Sequence, residues 1–210
     1  MKIRSWILVI GMVAVLGCLV LAQAQKPASP PGTAATQVGG KYVQVQNNQR
    51  YQGGKWIEIS YGRPIMRERQ NLFGAGADYG KKVSDGHPVW RVGANQTTRL
   101  KTEVTLIFEG KTLAAGEYSV FVDLKENAWT LIFSTWPAQE KYDPKNKEAL
   151  WGSYGYTPDK DALRATMKLD PLPFSMDQFT IAFIDMTSVD GKLAMMWDKT
   201  MAVVPFKVGS

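Results

Sequence analysis

The sequence predicts an all-β fold, a single antiparallel β-sandwich of jelly-roll type that follows an N-terminal signal segment. Three observations support this prediction. From Trp56 onward, apolar and polar residues mostly alternate, which is typical of strands with one buried face. Turn sequences separate the alternating runs about every ten residues, as in sandwiches and barrels. Only 159–167 (DKDALRATM) has a helical appearance, and it fits a strand equally well.

The alternating runs predict a meander of antiparallel strands. In KWIEISYG, Ile57 and Ile59 share one face. The run TRLKTEVTLIFEG is predicted as a strand that alternates throughout, and EYSVFVDL and WTLIFST follow it after short turns. The C-terminal run from 178 to 208 predicts a hairpin that turns at Asp190.

The N-terminus has the features of a secretory signal peptide over residues 1–24. Lys2 and Arg4 precede an uncharged apolar run, and Ala22-Gln23-Ala24 suits signal peptidase. We expect cleavage after Ala24 and an exported, periplasmic or secreted protein with no stable membrane insertion afterwards. The alternative is a lipoprotein, in which Cys18 carries a lipid anchor.

Two further boundaries follow from composition. Residues 25–50 are rich in Pro, Ala, Gly, Ser and Thr at their start, which predicts a flexible linker. Residues 51–210 then form the β-sandwich domain. Because Cys18 is the only cysteine, this domain contains no disulfide and depends on a hydrophobic core.

Charge and composition limit the partners and cofactors. The formal net charge is +6, but the basic residues are scattered, so we expect no nucleic-acid partner. His87 is the only histidine and lies in a turn. We therefore predict neither a metal site nor a cofactor. A pair of Asp or Glu side chains, sufficient for glycan hydrolysis, is not excluded.

Arginine and aromatic residues mark the candidate ligand site. Arginines at strand ends grip carboxylates, and exposed aromatic rings stack on sugars. Their other reading is structural, with the arginines tying loops to backbone carbonyls. The predicted ligand-binding residues are Arg63, Arg69, Arg91, Asn95, Trp151 and Tyr156.

The stretch VWRVGANQTTRL, residues 89–100, is the most distinctive run. Gly93 and Asn95 tolerate left-handed backbone, which suits a tight entry into a strand that starts near Thr98. Trp90 is predicted to lie in the core or at its rim. These backbone demands explain most of the run, and Arg91 is left over as a possible site residue.

These motifs resemble a bacterial family known as domain of unknown function 2911. YGRP, VWRVGAN, LAAGEYSVFV, WTLIFST, WGSYGY and MMWDKTMAVVPFKV occur in the family's order between about Trp56 and Val208. The resemblance implies an exported, β-rich domain and brings no catalytic residue. The loop from Asp78 to His87 departs from the family's pattern. The positions that match are Tyr61, Gly62, Arg63, Pro64, Arg69, Trp90, Arg91, Gly93, Ala94, Asn95, Thr98, Trp151, Tyr156 and Arg164.

Three functional hypotheses follow. The first is a non-enzymatic envelope module that binds a small or saccharide-like ligand, or a protein partner, through the arginine and aromatic loops. The second is a hydrolase that acts on envelope glycans through an Asp/Glu pair, which requires two carboxylates in one cleft. The third is a purely structural envelope domain, in which those loops pack together and leave no pocket.

Overall fold

Residues 27–209 are described by the computed structural model, and they form a nine-stranded antiparallel sheet and a separate two-stranded hairpin. The predicted signal peptide over 1–24, including its cleavage site and Cys18, lies outside the described residues. Within 27–209, no helix is long and apolar enough to cross a membrane.

The first half of the domain contains five strands and a long excursion between the last two. The excursion, residues 63–97, holds a 3-10 turn at Gly76–Asp78 and a short helix, α1, at Lys81–Ser84. The strands are β1 (Pro31–Val38), β2 (Lys41–Val45), β3 (Asn48–Gln52), β4 (Lys55–Gly62) and β5 (Thr98–Thr102).

The second half is built from six strands, two of them long. For the stretch 159–167, the sequence allowed either a helix or a strand. Its first two residues belong to a 3-10 turn at Pro158–Lys160, and the rest is a strand. Its burial alternates at Leu163, Ala165 and Met167, as a strand with one buried face requires. The strands are β6 (Leu106–Phe108), β7 (Lys111–Leu113), β8 (Gly116–Lys125), β9 (Ala128–Ser134), β10 (Asp161–Ile184) and β11 (Asp190–Val208).

The sheet has the order β1-β4-β5-β8-β9-β10-β11-β6-β7. The long strand β10 pairs with β9 through its first part and with β11 through the rest, so it joins the two halves of the sheet. The halves pack face to face: the Phe108 and Phe133 rings lie 5.1 Å apart, and those of Tyr61 and Phe179 lie 5.7 Å apart. The predicted all-β antiparallel sandwich is confirmed.

The segment expected to be a flexible linker, 25–50, is instead largely paired in the described residues. β1 pairs with β4 along its whole length, from Pro31 opposite Gly62 to Val38 opposite Lys55, and Val38 is fully buried. The linker-like composition of this segment gave no sign of a strand. The strand forms because its Thr and Val residues suit extended backbone and because β4 offers an open edge to pair with. β2 and β3 form a hairpin directly after it.

The run TRLKTEVTLIFEG is not one strand. β5 ends at Thr102, and β6 begins at Leu106 in the other half of the sheet. The Thr102 hydroxyl donates to the Val104 carbonyl at 2.7 Å and accepts from the Val104 N–H at 3.2 Å. This local bonding replaces the sheet ladder and turns the chain between the two halves.

Candidate functional site

A cleft of about 490 Å³ lies between the start of the excursion 63–97, the end of that excursion (the loop before β5) and the loop before β10. Its charged lining comprises Arg69, Lys82 and Arg91 against a single carboxylate, Asp85. The remaining lining includes four aromatic side chains. This combination of excess positive charge and aromatic rings makes the cleft the candidate ligand site.

The loop before β5 is held firmly in place. Trp90 is buried and exchanges two backbone hydrogen bonds with Val122 of β8, at 2.8 and 2.9 Å. Its indole N–H donates to the Gly93 carbonyl at 3.3 Å, and the Thr98 hydroxyl donates to the Val92 carbonyl at 2.8 Å. The tight entry into β5 predicted from the sequence, with Trp90 in the core, is confirmed.

The backbone of this loop is unusual at three positions. Val92 has φ 54°, Gly93 has φ 144° and Asn95 has φ 63°. Left-handed backbone is uncommon for a β-branched residue and costs on the order of 1–3 kcal/mol. The hydrogen bonds to the Val92 and Gly93 carbonyls hold the loop in this conformation.

Arg91 lines the cleft without an internal partner. Its side chain is half-buried, and within residues 27–209 its guanidinium makes no hydrogen bond or ion pair. A Cβ added at Gly152 would lie 2.7 Å from the Arg91 Nη1, so the glycine makes room for the guanidinium. A guanidinium carries five donors in a planar fork, and two of them match a carboxylate.

The loop before β10 is anchored beneath Arg91 by a buried hydroxyl. Thr97 is 3% exposed, and its Oγ1 lies 2.9 Å from both the Leu150 and the Gly152 carbonyl oxygens. The same contact therefore positions the glycine beside Arg91 and the adjacent Trp151. Thr97 has a structural role that sequence analysis did not assign.

The other two cations of the cleft differ in whether their charged groups already have partners within the protein. Arg69 donates to the Met66 and Ile65 carbonyls at 2.9 and 2.8 Å, and its guanidinium carbon lies 5.5 Å from the Trp197 ring centroid. Lys82, on α1, forms no ion pair within the described part of the chain. Arg91 and Lys82 are thus the cations available to a ligand.

Aromatic rings form the walls of the cleft. Trp151 is half-buried, with its ring 5.7 Å from that of Tyr142, and Tyr154 is 49% exposed. The His87 ring packs against Tyr154 at 4.5 Å. Large rings with one wet edge are suited to packing on the flat face of a ligand.

Arg63 and Tyr156 lie outside this cleft. The Arg63 guanidinium donates to the Phe179 carbonyl at 3.3 Å and to the Thr180 hydroxyl at 3.0 Å, so it ties the end of β4 to β10. Tyr156 is buried against Phe121 in a second, smaller core cluster. The structural reading of the arginines therefore applies to Arg63 and in part to Arg69.

The Tyr156 hydroxyl belongs to a bonded group of three side chains. It donates to Asp161 at 2.8 Å and accepts from Arg164 at 2.9 Å, and the Arg164 Nε donates to Asp161 at 2.8 Å. Burial, followed by the bond to Asp161, raises the pKa of Tyr156 well above its usual range. The Tyr156 hydroxyl therefore stays neutral at a pH at which a tyrosine in the unfolded chain would ionise.

This shift predicts a pH dependence of stability. Because the folded pKa of Tyr156 is raised, its contribution is complete below the unfolded pKa of about 10 and declines as the pH rises above it. We expect the free energy of unfolding of Tyr156→Phe to fall less steeply with pH, by up to about 1.4 kcal/mol per pH unit. Urea unfolding of both proteins between pH 9 and 11 measures the difference, and equal slopes would contradict the assignment.

Carboxylates meet in two other clefts. One of about 420 Å³ contains Glu109, Asp185 and Asp190, and Asp185 is paired there with Lys192 at 2.7 Å. Another contains Glu58 and Glu117, with the latter 3.4 Å from Lys101. The geometric requirement of the hydrolase hypothesis is thus not excluded, and that hypothesis stays a prediction. Among residues 27–209, no group of three or more His, Cys, Asp or Glu side chains is placed to hold a metal.

The structure brings four of the six predicted site residues together in the cleft: Arg69, Arg91, Asn95 and Trp151. The pocket-free packing expected for a purely structural domain is not found there. Sequence analysis missed Lys82, which lies on the short helix α1 and belongs to no motif, and Trp197, which reads as a core position of β11. For these two residues, no spacing in the sequence indicates that they approach Arg69 or Arg91.

Comparison with known proteins gives one match. The family model described as "Protein of unknown function (DUF2911)" matches residues 43–206. No curated protein and no solved structure matches the chain. The match covers most of β2, all the strands from β3 to β10 and most of β11, and it includes every loop around the cleft except the residues before β1. The resemblance inferred from the motifs is therefore confirmed: the chain belongs to the DUF2911 family.

Proposed function

We propose that this protein is a non-enzymatic binding module of the cell envelope whose cleft takes a small acidic saccharide. The observation that carries the proposal is Arg91, which is half-buried at the cleft without a carboxylate or carbonyl partner in the described residues. A partly desolvated guanidinium is more stable with an anion beside it, and a ligand carboxylate supplies one.

The charge balance supports an anionic ligand. Arg69, Lys82 and Arg91 face one carboxylate, Asp85, so the lining has an excess of positive charge. Such a lining attracts anions and disfavours cations. Lys82 adds an ammonium group on a flexible side chain, which can pair with a second acidic oxygen of the ligand and does not require one fixed geometry.

The aromatic walls support a ring-shaped ligand. Trp151 and Tyr154 line the cleft, and such rings can pack on the apolar face of a sugar while its hydroxyl groups remain in water. Asn95 contributes an amide whose Nδ2 lies 3.4 Å from the Ser29 carbonyl. An acidic sugar satisfies both the guanidinium and the rings.

The test uses a matched pair of ligands, D-glucuronate and D-glucose, which differ only in the oxidation of one carbon. Residues 25–210, which contain every described residue, are titrated by calorimetry. We expect D-glucuronate to bind and D-glucose to bind at least about tenfold more weakly, because the charge-assisted bonds to Arg91 are absent.

The variants identify the site. Arg91→Ala should weaken D-glucuronate binding by about tenfold or more, and Arg91→Lys should restore only part of it, since an ammonium group lacks the planar fork. Arg50→Ala, on the exposed strand β3, is the matched control and should bind as the wild type does. Equal binding by Arg91→Ala and Arg50→Ala would refute the proposed site.

A further inference from the structure

A second cavity adjoins the candidate site. It has a volume of about 320 Å³ and shares Ser29, Ala94, Asn95 and Trp151 with the first. Trp151 therefore contributes to the lining of both cavities, and a ligand that passes its ring occupies both. Neither cavity alone represents the whole space that is open to a ligand.

The two cavities differ in charge. The first contains three cations, whereas the residues around the second are all uncharged, among them Tyr61, Gln96 and Pro27. A ligand that fills both spaces is therefore complementary if one end is anionic and the other neutral. The amide of Gln96 and the ring of Trp151 are suited to a neutral sugar, which offers hydroxyl groups and an apolar face.

The outer wall of the second cavity is the segment that precedes β1, and it is fastened in place. Three consecutive carbonyls of this segment accept hydrogen bonds from the excursion 63–97. The Ala28 carbonyl accepts from the Arg67 side chain at 3.0 Å, and the Ser29 carbonyl accepts from the Asn95 side chain at 3.4 Å. The Pro30 carbonyl accepts from the backbone N–H of Arg63 at 2.8 Å. This segment is part of the cavity wall.

We infer that the site is bipartite and takes an acidic disaccharide, with the carboxylate at Arg91 and the neutral ring beyond Trp151 against Gln96. The inference rests on the proposed function, because it assigns the anionic end to the same guanidinium. Beyond the proposed function, the inference adds a second subsite, a ligand two sugar rings long, and the orientation of that ligand in the site.

The test compares four matched ligands on residues 25–210: D-glucose, D-glucuronate, cellobiose and cellobiouronate. We expect cellobiouronate to bind on the order of tenfold more tightly than D-glucuronate, because its second ring fills the neutral cavity. Cellobiose should bind more weakly than cellobiouronate, since it lacks the carboxylate.

Gln96→Ala isolates the second subsite. Gln96 is exposed and its side chain makes one bond, to the Glu140 carbonyl, so the variant should fold as the wild type does. We expect it to weaken cellobiouronate by about threefold or more and to leave D-glucuronate unchanged. Arg50→Ala is again the control.

The outcomes separate the two proposals. Equal affinity of the wild type for D-glucuronate and cellobiouronate overturns the bipartite site and leaves the acidic-sugar function standing. Equal affinity for cellobiose and cellobiouronate overturns the assigned direction, as does a Gln96→Ala variant that weakens both acids alike. If neither acid binds, the proposed function and this inference both fail.

Discussion

Replacing Trp90 by alanine is expected to lower the free energy of unfolding by about 3–5 kcal/mol, the largest effect of any change considered. Trp90 is 1% exposed, and its ring lies in a cluster with Phe179 at 4.9 Å and Trp197 at 6.1 Å. Alanine leaves a cavity among aromatic rings that belong to both halves of the sheet. It also removes the indole N–H that donates to the Gly93 carbonyl.

Urea unfolding at neutral pH measures this effect. Trp56→Ala is the matched control, because Trp56 is 46% exposed and loses little buried surface. We expect its free energy of unfolding to change much less than that of Trp90→Ala. Similar losses in the two variants would contradict the placement of Trp90 in the core.

The second large effect is expected for Gly62→Ala. An added Cβ would collide with the carbonyl group of Ala94, which is backbone and has little freedom to move. Forcing the loop before β5 away from the end of β4 should cost about 1–3 kcal/mol. Because that loop also carries Arg91, the variant should weaken D-glucuronate binding even where it remains folded.

Gly53→Ala provides the comparison. Gly53 has φ 72°, and an added Cβ would have nothing within 4 Å, so this variant carries only the cost of left-handed backbone, about 1 kcal/mol. It lies between β3 and β4 and should leave ligand binding unchanged. The close packing of the two segments is refuted if Gly62→Ala loses no more stability and no more binding than Gly53→Ala.

The strands that the sequence predicted well are those whose burial alternates. In β4, the buried positions Ile57 and Ile59 have the period of two, as the alternation in the sequence predicted, so burial on one face can be read directly. β1 shows the opposite case. Its Pro, Gly, Ala and Thr residues have the composition of a linker, and the open edge of β4 makes it a strand. Edge pairing is a tertiary event without a local signal.

The site was predictable only in part, for a related reason. An arginine at a strand end can serve a ligand or a distant carbonyl, and sequence does not distinguish them. Arg63 bonds to Phe179, far along the chain, whereas Arg91 has no such partner in the described residues. Lys82 and Trp197 join the cleft through folding alone. The aromatic residues of the loop before β10 also have different roles, since Trp151 lines the cleft and Tyr156 packs in the core.

The central claim is that the Arg91 guanidinium receives the acidic group of a ligand. The most direct measurement follows the side-chain Nε–H signals of the arginines by NMR during titration with D-glucuronate, with the Arg91 signal assigned through Arg91→Lys. We predict that this signal shifts and saturates with D-glucuronate and stays in place with D-glucose. An Arg91 signal that does not move while D-glucuronate binds, or that moves equally with both sugars, would contradict the claim.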